Sequence, residues 1–346
     1  MKKLDNIGGE FESSDSISSK QLLKKFNDGT WFTCGRHALN EILINLKSKN
    51  VKNIYIPIYT CRSIELILRK FNLKVFYYDI NHNFNNKLKK IKKNSAVLLM
   101  NYFGIKKNFK LKSKVCRPII INDLSHSFLQ EKIKFNKDEF YFFSLRKFGV
   151  FNYGGWCNIP IMKKKIYDSR IISLFSQKIR KIKQKYLNNT SESLLEKEKK
   201  DLKMFKMFDQ KLYNYKHPIK QSNLKIIQKM DIKKIIKIRR DNFNYLKSKL
   251  PKQYTLNFKL NTHDIPLGFF LFLKNRNQLK NKLKINKIFC PVHWNISTQF
   301  QSKKNFSSLL SKRILTIPID QRYDKTHLNK IIININQFLN NPLKNN

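Results

Sequence analysis

The sequence predicts an α/β protein with a mixed, mostly parallel sheet, and three observations carry that reading. Strand-like apolar runs alternate with runs of helical periodicity from Trp31 to Ser144. Several of those strand runs are apolar throughout rather than alternating, as suits strands covered on both faces. From Met162 the texture changes to long, Lys-rich helical sequence, and a smaller α+β region follows Pro251. The organisation expected is therefore a large domain over residues 1–235 and a small C-terminal domain over 236–346. The large domain would include an N-terminal arm at 1–30 and a helical segment at 162–235.

The elements follow in chain order. Residues 1–30 are polar and Ser-rich, a loop or arm. Gly35 to Ser48 places Ala38, Leu39, Ile42, Leu43 and Leu46 on one helical face. Residues 53–57 (NIYIP) read as a short strand and 62–70 (RSIELILRK) as a second helix. Further strands are expected at 74–78, 96–100, 118–122 and 139–144. The Asn/Lys-rich stretch 81–94 reads as a loop and short helix between strands. The C-terminal region should hold strands near 253–258 and 267–273 and a helix near 276–284. An irregular stretch at 291–308 and a final helix near 325–340 complete it.

Of 346 residues, 71 are Lys or Arg and 23 are Asp or Glu, a net charge of +48 that first points to nucleic acid. A rival explanation is codon drift toward A/T. The chain holds 59 Lys, 39 Asn and 27 Phe against only 12 Arg, and Arg is the better residue for forked phosphate and guanine contacts. The lysines are spread evenly, and no zinc-finger, RNP, KH or helix-turn-helix signature accompanies them. Nucleic acid is not the expected partner. Five cysteines, at 34, 61, 116, 157 and 290, form no CxxC pair. That argues against a disulfide framework or a metal site and fits a reducing compartment. No apolar run approaches a membrane span, and no signal-peptide core follows the first lysines. A soluble, cytoplasmic protein is expected.

Three stretches can carry chemistry. In SLRKFGVFNYGG (144–155) a Ser stands three residues before a Lys at the end of an apolar strand, with a Gly pair downstream. Pyridoxal 5'-phosphate needs a lysine amine for its imine link, a hydroxyl near its phosphate and an acid at its ring nitrogen. Lys147 and Ser144 suit the first two, although one Lys among 59 is ordinarily a solvated side chain. In PIIINDLSHSF (118–128) Asp123 ends a buried strand, where open α/β sheets bind ligands. A helix N-cap would use Asp123 equally well. His126 reads either as a group beside the cofactor ring or as a buried structural histidine. In TCGRHAL (33–39) the amides of Gly35, Arg36 and His37 open a helix and make an anion site; Arg36 also reads as a surface cation.

Together these stretches resemble the DegT/DnrJ/StrS-type sugar aminotransferases, pyridoxal-phosphate enzymes of the aspartate-aminotransferase fold (fold type I). The resemblance runs in order along nearly the whole chain. It begins with Gly8, Gly9, Glu10 and Phe11 and passes through TCGRHAL, IYIPIYTCRS (54–63), NYFG (101–104), NDLSHSF (122–128) and SLRKFGVFNYGG. It closes with IRRDNFNYL (238–246), PVHWN (291–295) and ILTIPIDQRY (314–323). It implies a large domain whose sheet is sandwiched by helices, plus a small C-terminal domain, with the site at a homodimer interface. Lys147 then matches the lysine that carries the cofactor, Asp123 the acid at the ring nitrogen, and His126 a Gln or His beside the ring. Gly35, Arg36 and His37 match the phosphate turn, with Ser144 as the hydroxyl.

The activity implied is amino transfer from an amino acid, with glutamate the expected donor, to a keto-sugar carried on a nucleotide. Surface-polysaccharide or related sugar biosynthesis is its expected setting. The sequence departs from the family at four places. Phe142 stands where the family often has its phosphate serine, and Cys61 where an aromatic commonly stacks on the ring. Tyr59 or His126 could take over that stacking. Asn122 replaces a usual Glu, and Ser144 lies only three residues before the lysine. These departures keep a second expectation open, a member that holds the fold as a binding or regulatory module.

Overall fold

A computed structural model describes residues 6–8, 17–18, 26–88, 90–105, 117–130, 134–149, 151, 153–160, 193–214, 217–221, 224–226 and 232–340. The described strands are β1 (Ile7–Gly8), β2 (Ile17–Ser18), β3 (Thr30–Phe32), β4 (Asn53–Pro57), β5 (Lys74–Tyr78), β6 (Ser95–Met100) and β7 (Ile119–Asp123). They continue with β8 (Phe140–Ser144), β9 (Gly155–Cys157), β10 (Lys225–Ile226), β11 (Phe269–Phe272), β12 (Ile288–Phe289) and β13 (Ile314–Ile317). The helices are α1 (Gly35–Ser48), α2 (Arg62–Leu68), α3 (Leu194–Asn214) and α4 (Ile232–Lys249), then α5 (Arg276–Ile285), α6 (Thr298–Gln301), α7 (Phe306–Arg313) and α8 (Lys325–Leu339).

Seven strands form the main sheet in the order β3-β9-β8-β7-β6-β4-β5. Every neighbouring pair from β8 to β5 is parallel, and β9 alone runs against the rest. Side chains on β8 alternate between two apolar cores, as the two-residue period of a strand requires. Phe142 joins the core that continues into the C-terminal region, while Tyr141 and Phe143 join the aromatic cluster of Phe26, Trp31, Phe128 and Trp156. Burial on both faces explains why these strands read as continuous apolar runs. Helix α1 lies across β3, β8 and β9 with Ala38, Leu39, Ile42, Leu43 and Leu46 buried, the face its periodicity predicts.

In the C-terminal region β11 and β13 pair antiparallel, α4 and α7 pack against β11, and α8 packs on α4 and α5. Asp324 caps α8, its carboxylate accepting from the amides of Thr326 (3.0 Å) and His327 (3.2 Å). The first and last motifs meet here: the Gly8 amide donates to the Tyr323 hydroxyl at 2.6 Å. Gly9, Glu10 and Phe11 lie outside the described residues, as do Cys116 and most of the segment 162–193. The four described cysteines are free thiols. Among the described residues no helix is long and apolar enough to cross a membrane.

Several local expectations differ from the structure. Residues 253–258 hold a 3₁₀ turn (Lys252–Tyr254) and only a single bridge from Thr255 to Leu271; Leu256 and Phe258 pack as an extended cover on the core instead. The described part of 81–94 has no helix, because the Asn81 side chain accepts the amides of Asn83 and Asn85 and folds a tight turn. The stretch 291–308 is not wholly irregular: it contains α6 and the start of α7, the latter capped by Asn305.

One contact fixes where α1 begins. Gly155 on β9 packs so closely on the start of α1 that a Cβ there would collide with the Cys34 carbonyl and the Gly35 nitrogen. Gly35 in turn leaves room for Ser144, whose Cβ would lie 3.0 Å from one on Gly35. Gly155→Ala must therefore push the α1 terminus away from the end of β8. Urea denaturation should show a loss of about 2–4 kcal/mol, and an unchanged midpoint would show that this approach is slack.

Candidate active site

The carboxyl ends of β4, β6, β7 and β8 open onto a cavity of about 250 Å³, the place where parallel α/β sheets hold ligands. Lys147, Asp123, His126, Ser144, Gly35 and Arg36 all line it. The turn that carries Lys147 is a 3₁₀ turn, Leu145–Phe148, directly after β8, and it ends at Gly149 in the left-handed region (φ 67°). The turn is anchored by the buried guanidinium of Arg239 on α4, which donates to the Phe148 carbonyl at 3.1 Å.

Asp123 is only 6% exposed. Its Oδ1 accepts the Ser125 amide at 2.8 Å, and the Ser125 side chain also hydrogen-bonds the carboxylate. Burial pushes its carboxyl up from the ordinary value, opposed by the Ser125 bonds and by the charge of Lys147. The side-chain oxygen of Ser125 also accepts the amide of Ser144 at 3.1 Å, which ties the end of β7 to the end of β8.

His126 is 2% exposed and sits in an aromatic stack, parallel to Trp294 (5.4 Å, 13°) and to Phe103 (6.0 Å, 14°). Its Nδ1 accepts the Phe103 amide at 3.1 Å, which puts the single proton of a neutral ring on Nε2. Burial, then the charges of Lys147 and His293, hold its pKa well below the usual histidine value. His293 is held down to about 3, again by burial first and Lys147 second, and its Nδ1 lies 2.8 Å from the Thr316 hydroxyl. His126 is the buried, hydrogen-bonded histidine of one reading, and it also lines the cavity.

The turn expected to hold phosphate is divided in the structure. Gly35 and Arg36 open α1 at the cavity wall, where first-turn amides have no intrahelical acceptors. His37 is not among the lining residues. Its amide donates to the Cys34 carbonyl at 3.1 Å and its ring stacks on Tyr213 (5.7 Å, 19°). Cys34 precedes the turn; burial would raise its thiol, but the hydrogen bond and charge of His37 and the charge of Arg36 bring it down to about 7. Tyr59 is fully buried against Tyr102 and Trp294 and is not among the residues that line the cavity, whereas His126 is. Phe142 and Cys61 both line the wall. Trp294 does so as well, whereas Arg322 is paired with Asp320 at 2.7 Å.

Sequence reading passed over Arg146 and Asp209. Both line the cavity, and Asp209 pairs with Arg36 and Arg146 at 2.8 and 3.2 Å. The only signal was the position of Arg146 beside Lys147; Asp209 is an acid within a Lys-rich helix.

The fold is that of the pyridoxal-phosphate-dependent aminotransferases of fold type I, as the sheet and the sequence both led one to expect. Among solved structures, the chain is similar to the sugar aminotransferase CalS13 from Micromonospora echinospora (TM-score 0.58, 9% identity, covering 92% of this chain and 90% of that one). DesV from S. venezuelae aligns at TM-score 0.57 and 12% identity, covering 90% and 85%. A DegT DnrJ EryC1 StrS aminotransferase from Brucella abortus aligns at 0.57 and 12%, covering 92% and 88%. No protein-family model matches the chain, and no curated protein matches it by sequence.

The buried imidazoles give stability a defined pH dependence. Below about pH 6.5 the unfolded chain binds protons that the folded His126 and His293 refuse, so stability is full above that value and falls as pH drops. Asp123 has the opposite sign, since a raised carboxyl loses stability as pH climbs through its folded value. Denaturation of the cofactor-free protein at pH 7 and pH 5 should show a loss on the order of 1–2 kcal/mol for each histidine. His126→Gln should remove one share of that slope.

Proposed function

We propose that the chain is a pyridoxal-phosphate-dependent aminotransferase acting on a keto-sugar. What carries the reading is the pairing of Lys147 with a buried Asp123 in one cavity at the carboxyl ends of the parallel strands. A buried carboxyl on the wall of such a cavity fits a positively charged ring nitrogen. The fold, shared with CalS13 and with Spr1654 from Streptococcus pneumoniae in its PMP form, supports it (the latter at TM-score 0.59 and 14% identity, covering 95% and 93%).

Pyridoxal phosphate, when bound, supplies an aldehyde that links covalently to amines and a ring that draws electrons from the carbon being deprotonated. The protein's own groups do the rest. The Lys147 amine holds the cofactor and, once released by the amino donor, moves the proton at the donor's α-carbon. Asp123 would accept from the ring nitrogen and keep it protonated. The neutral His126 ring, fixed by Phe103 and backed by Trp294, offers a flat face and an Nε2 proton. Ser144 and the first amides of α1 bind phosphate at the opposite end.

Glutamate as donor, a nucleotide-linked keto-sugar as acceptor, and a role in surface-polysaccharide or related sugar biosynthesis belong to the same proposal. So do a homodimer with the site at its interface, a cytoplasmic setting, and the division into domains 1–235 and 236–346. The basic surface would draw in such a substrate at low salt.

Purified protein incubated with pyridoxal phosphate should turn yellow, and borohydride should fix the cofactor on Lys147, as read by peptide mass spectrometry. Lys147→Ala should lose both signals while still folding. Glutamate should bleach the wild-type band; a yellow protein that glutamate leaves unchanged would instead be a cofactor-holding module. A colourless wild type that borohydride cannot label overturns the reading.

A further inference from the structure

The motif IRRDNFNYL (238–246) takes no part in the chemistry proposed above, yet both of its arginines hold main chain that leads to the cavity wall. Arg239 donates to the carbonyls of Pro266 (3.4 Å) and Leu267 (3.2 Å). The next residue, Arg240, uses a single nitrogen, Nη1, to hold the carbonyls of Asn261 at 2.7 Å and Asp264 at 2.6 Å. The start of this segment is also closed on itself, because the buried Asp264 carboxylate accepts the Asn261 amide at 2.7 Å. Consecutive arginines on α4 thus fasten the segment 261–267 at both ends.

Two amides of the segment are spent on one turn. Ile265 donates to the Gly104 carbonyl at 3.0 Å and Leu267 to the Phe103 carbonyl at 2.9 Å. Phe103 stands in the left-handed region at φ 61°, which a bulky residue keeps only where its surroundings impose it. Gly104 follows at φ 74°, where a Cβ would lie 2.6 Å from the His126 carbonyl oxygen and would overlap that of Ile265. In this conformation the Phe103 amide donates to Nδ1 of His126 at 3.1 Å. The partner that places the His126 proton on Nε2 is therefore itself held from the C-terminal region.

We propose that Arg240 is a positioning residue for His126, acting through the segment 261–267 and the Phe103–Gly104 turn to keep the imidazole in its Nε2–H tautomer. Which nitrogen of a neutral imidazole carries the proton is set by the hydrogen bond that the other one makes. A backbone amide can only donate, so it admits only the tautomer whose Nδ1 is an acceptor. Loosening the turn withdraws that amide and frees the choice. The result is a single N–H donor, fixed on a residue that lines the cavity with Asp123 and Lys147. Arg239 joins the same segment to the Lys147 turn, since it holds the Leu267 and Phe148 carbonyls together. That a cofactor receives this N–H rests on the function proposed above; the lock itself does not.

Nitrogen-15 spectra of the histidine rings in cofactor-free protein test the lock, with the His126 signals identified by their loss in His126→Gln. Wild type should carry the His126 proton on Nε2 alone. Arg240→Ala should average the two ring nitrogens toward equal shifts. It should also speed hydrogen exchange of the Phe103 amide about tenfold, because two hydrogen bonds that hold the segment are lost. Arg240→Lys should restore both signals, since one ammonium can serve two carbonyls that a single nitrogen serves now. The thermal midpoint of each variant shows that it is folded, and Arg240→Gln repeats the test if the alanine variant is not. A wild-type proton on Nδ1, or an unchanged His126 spectrum in the folded variant, overturns the proposal and leaves Arg240 a packing role only. The spectra need no cofactor. A chain unable to bind pyridoxal phosphate would leave the lock standing, and a broken lock would leave the borohydride labelling of Lys147 standing.

Discussion

The buried guanidinium of Arg239 is the contact on which the rest of the site depends. It projects from α4 and is 1% exposed, yet its bonding capacity is spent on neutral acceptors: the Phe148 carbonyl at 3.1 Å, the Leu267 carbonyl at 3.2 Å and Gln321 Oε1 at 3.0 Å. Gln321 doubles the hold by donating its own Nε2 to the Phe148 carbonyl at 3.1 Å. Burial lowers the guanidinium to about 10, against the pull of Asp320, so it stays charged at neutral pH. A lysine could not replace it, because one ammonium cannot reach three acceptors spread around a plane. The turn bearing Lys147 is thereby fastened to the C-terminal region.

A second constraint acts at the same carboxyl end of β8. With no side chain at Gly155 and Gly35, the start of α1 drops against the end of β8. Backbone amides then face the residues that flank Lys147. These two constraints place a helix terminus, a lysine and a buried acid around one space from three separate elements. Neither depends on the lysine surplus. The lysine surplus dominates the net charge of +48, whereas the cavity wall gathers Arg36, Arg146, Asp123, Asp209 and His126 around the single Lys147.

The legible parts of the fold were those with strong local patterns. The α1 helix and the strands β4 and β5 fall where the local pattern put them: α1 buries one face and β4 all but its first residue, while β5, half-buried at the sheet edge, is marked by its apolar run. Strands β3 and β9 were missed. Each has three residues, too few for a pattern, and they exist because they pair with each other and with β8. The extended run at 253–258 looked like a strand by composition, but its partner edge offers only one bridge at Thr255. In the site, Lys147 and Asp123 could be found because strand ends are recognisable in sequence. The Asp209 contact was hidden, since it joins positions 173 and 63 residues apart.

The departures from the family pattern gain a physical sense from the aromatic stack. Cys61 leaves the cavity without the ring that commonly sits there, and Tyr59 is turned into the core. His126 is instead supported on a parallel stack by Trp294, which itself contacts Tyr59 at 5.4 Å and Phe103 at 6.3 Å. A neutral imidazole backed by indole is a flat, apolar platform, and burial first, then the charges of Lys147 and His293, keep it neutral. Lys147 acts on Asp123 in the same direction, lowering a carboxyl that burial raises. The ring face stays uncharged, and the cation offsets part of the burial that opposes ionisation of the acid.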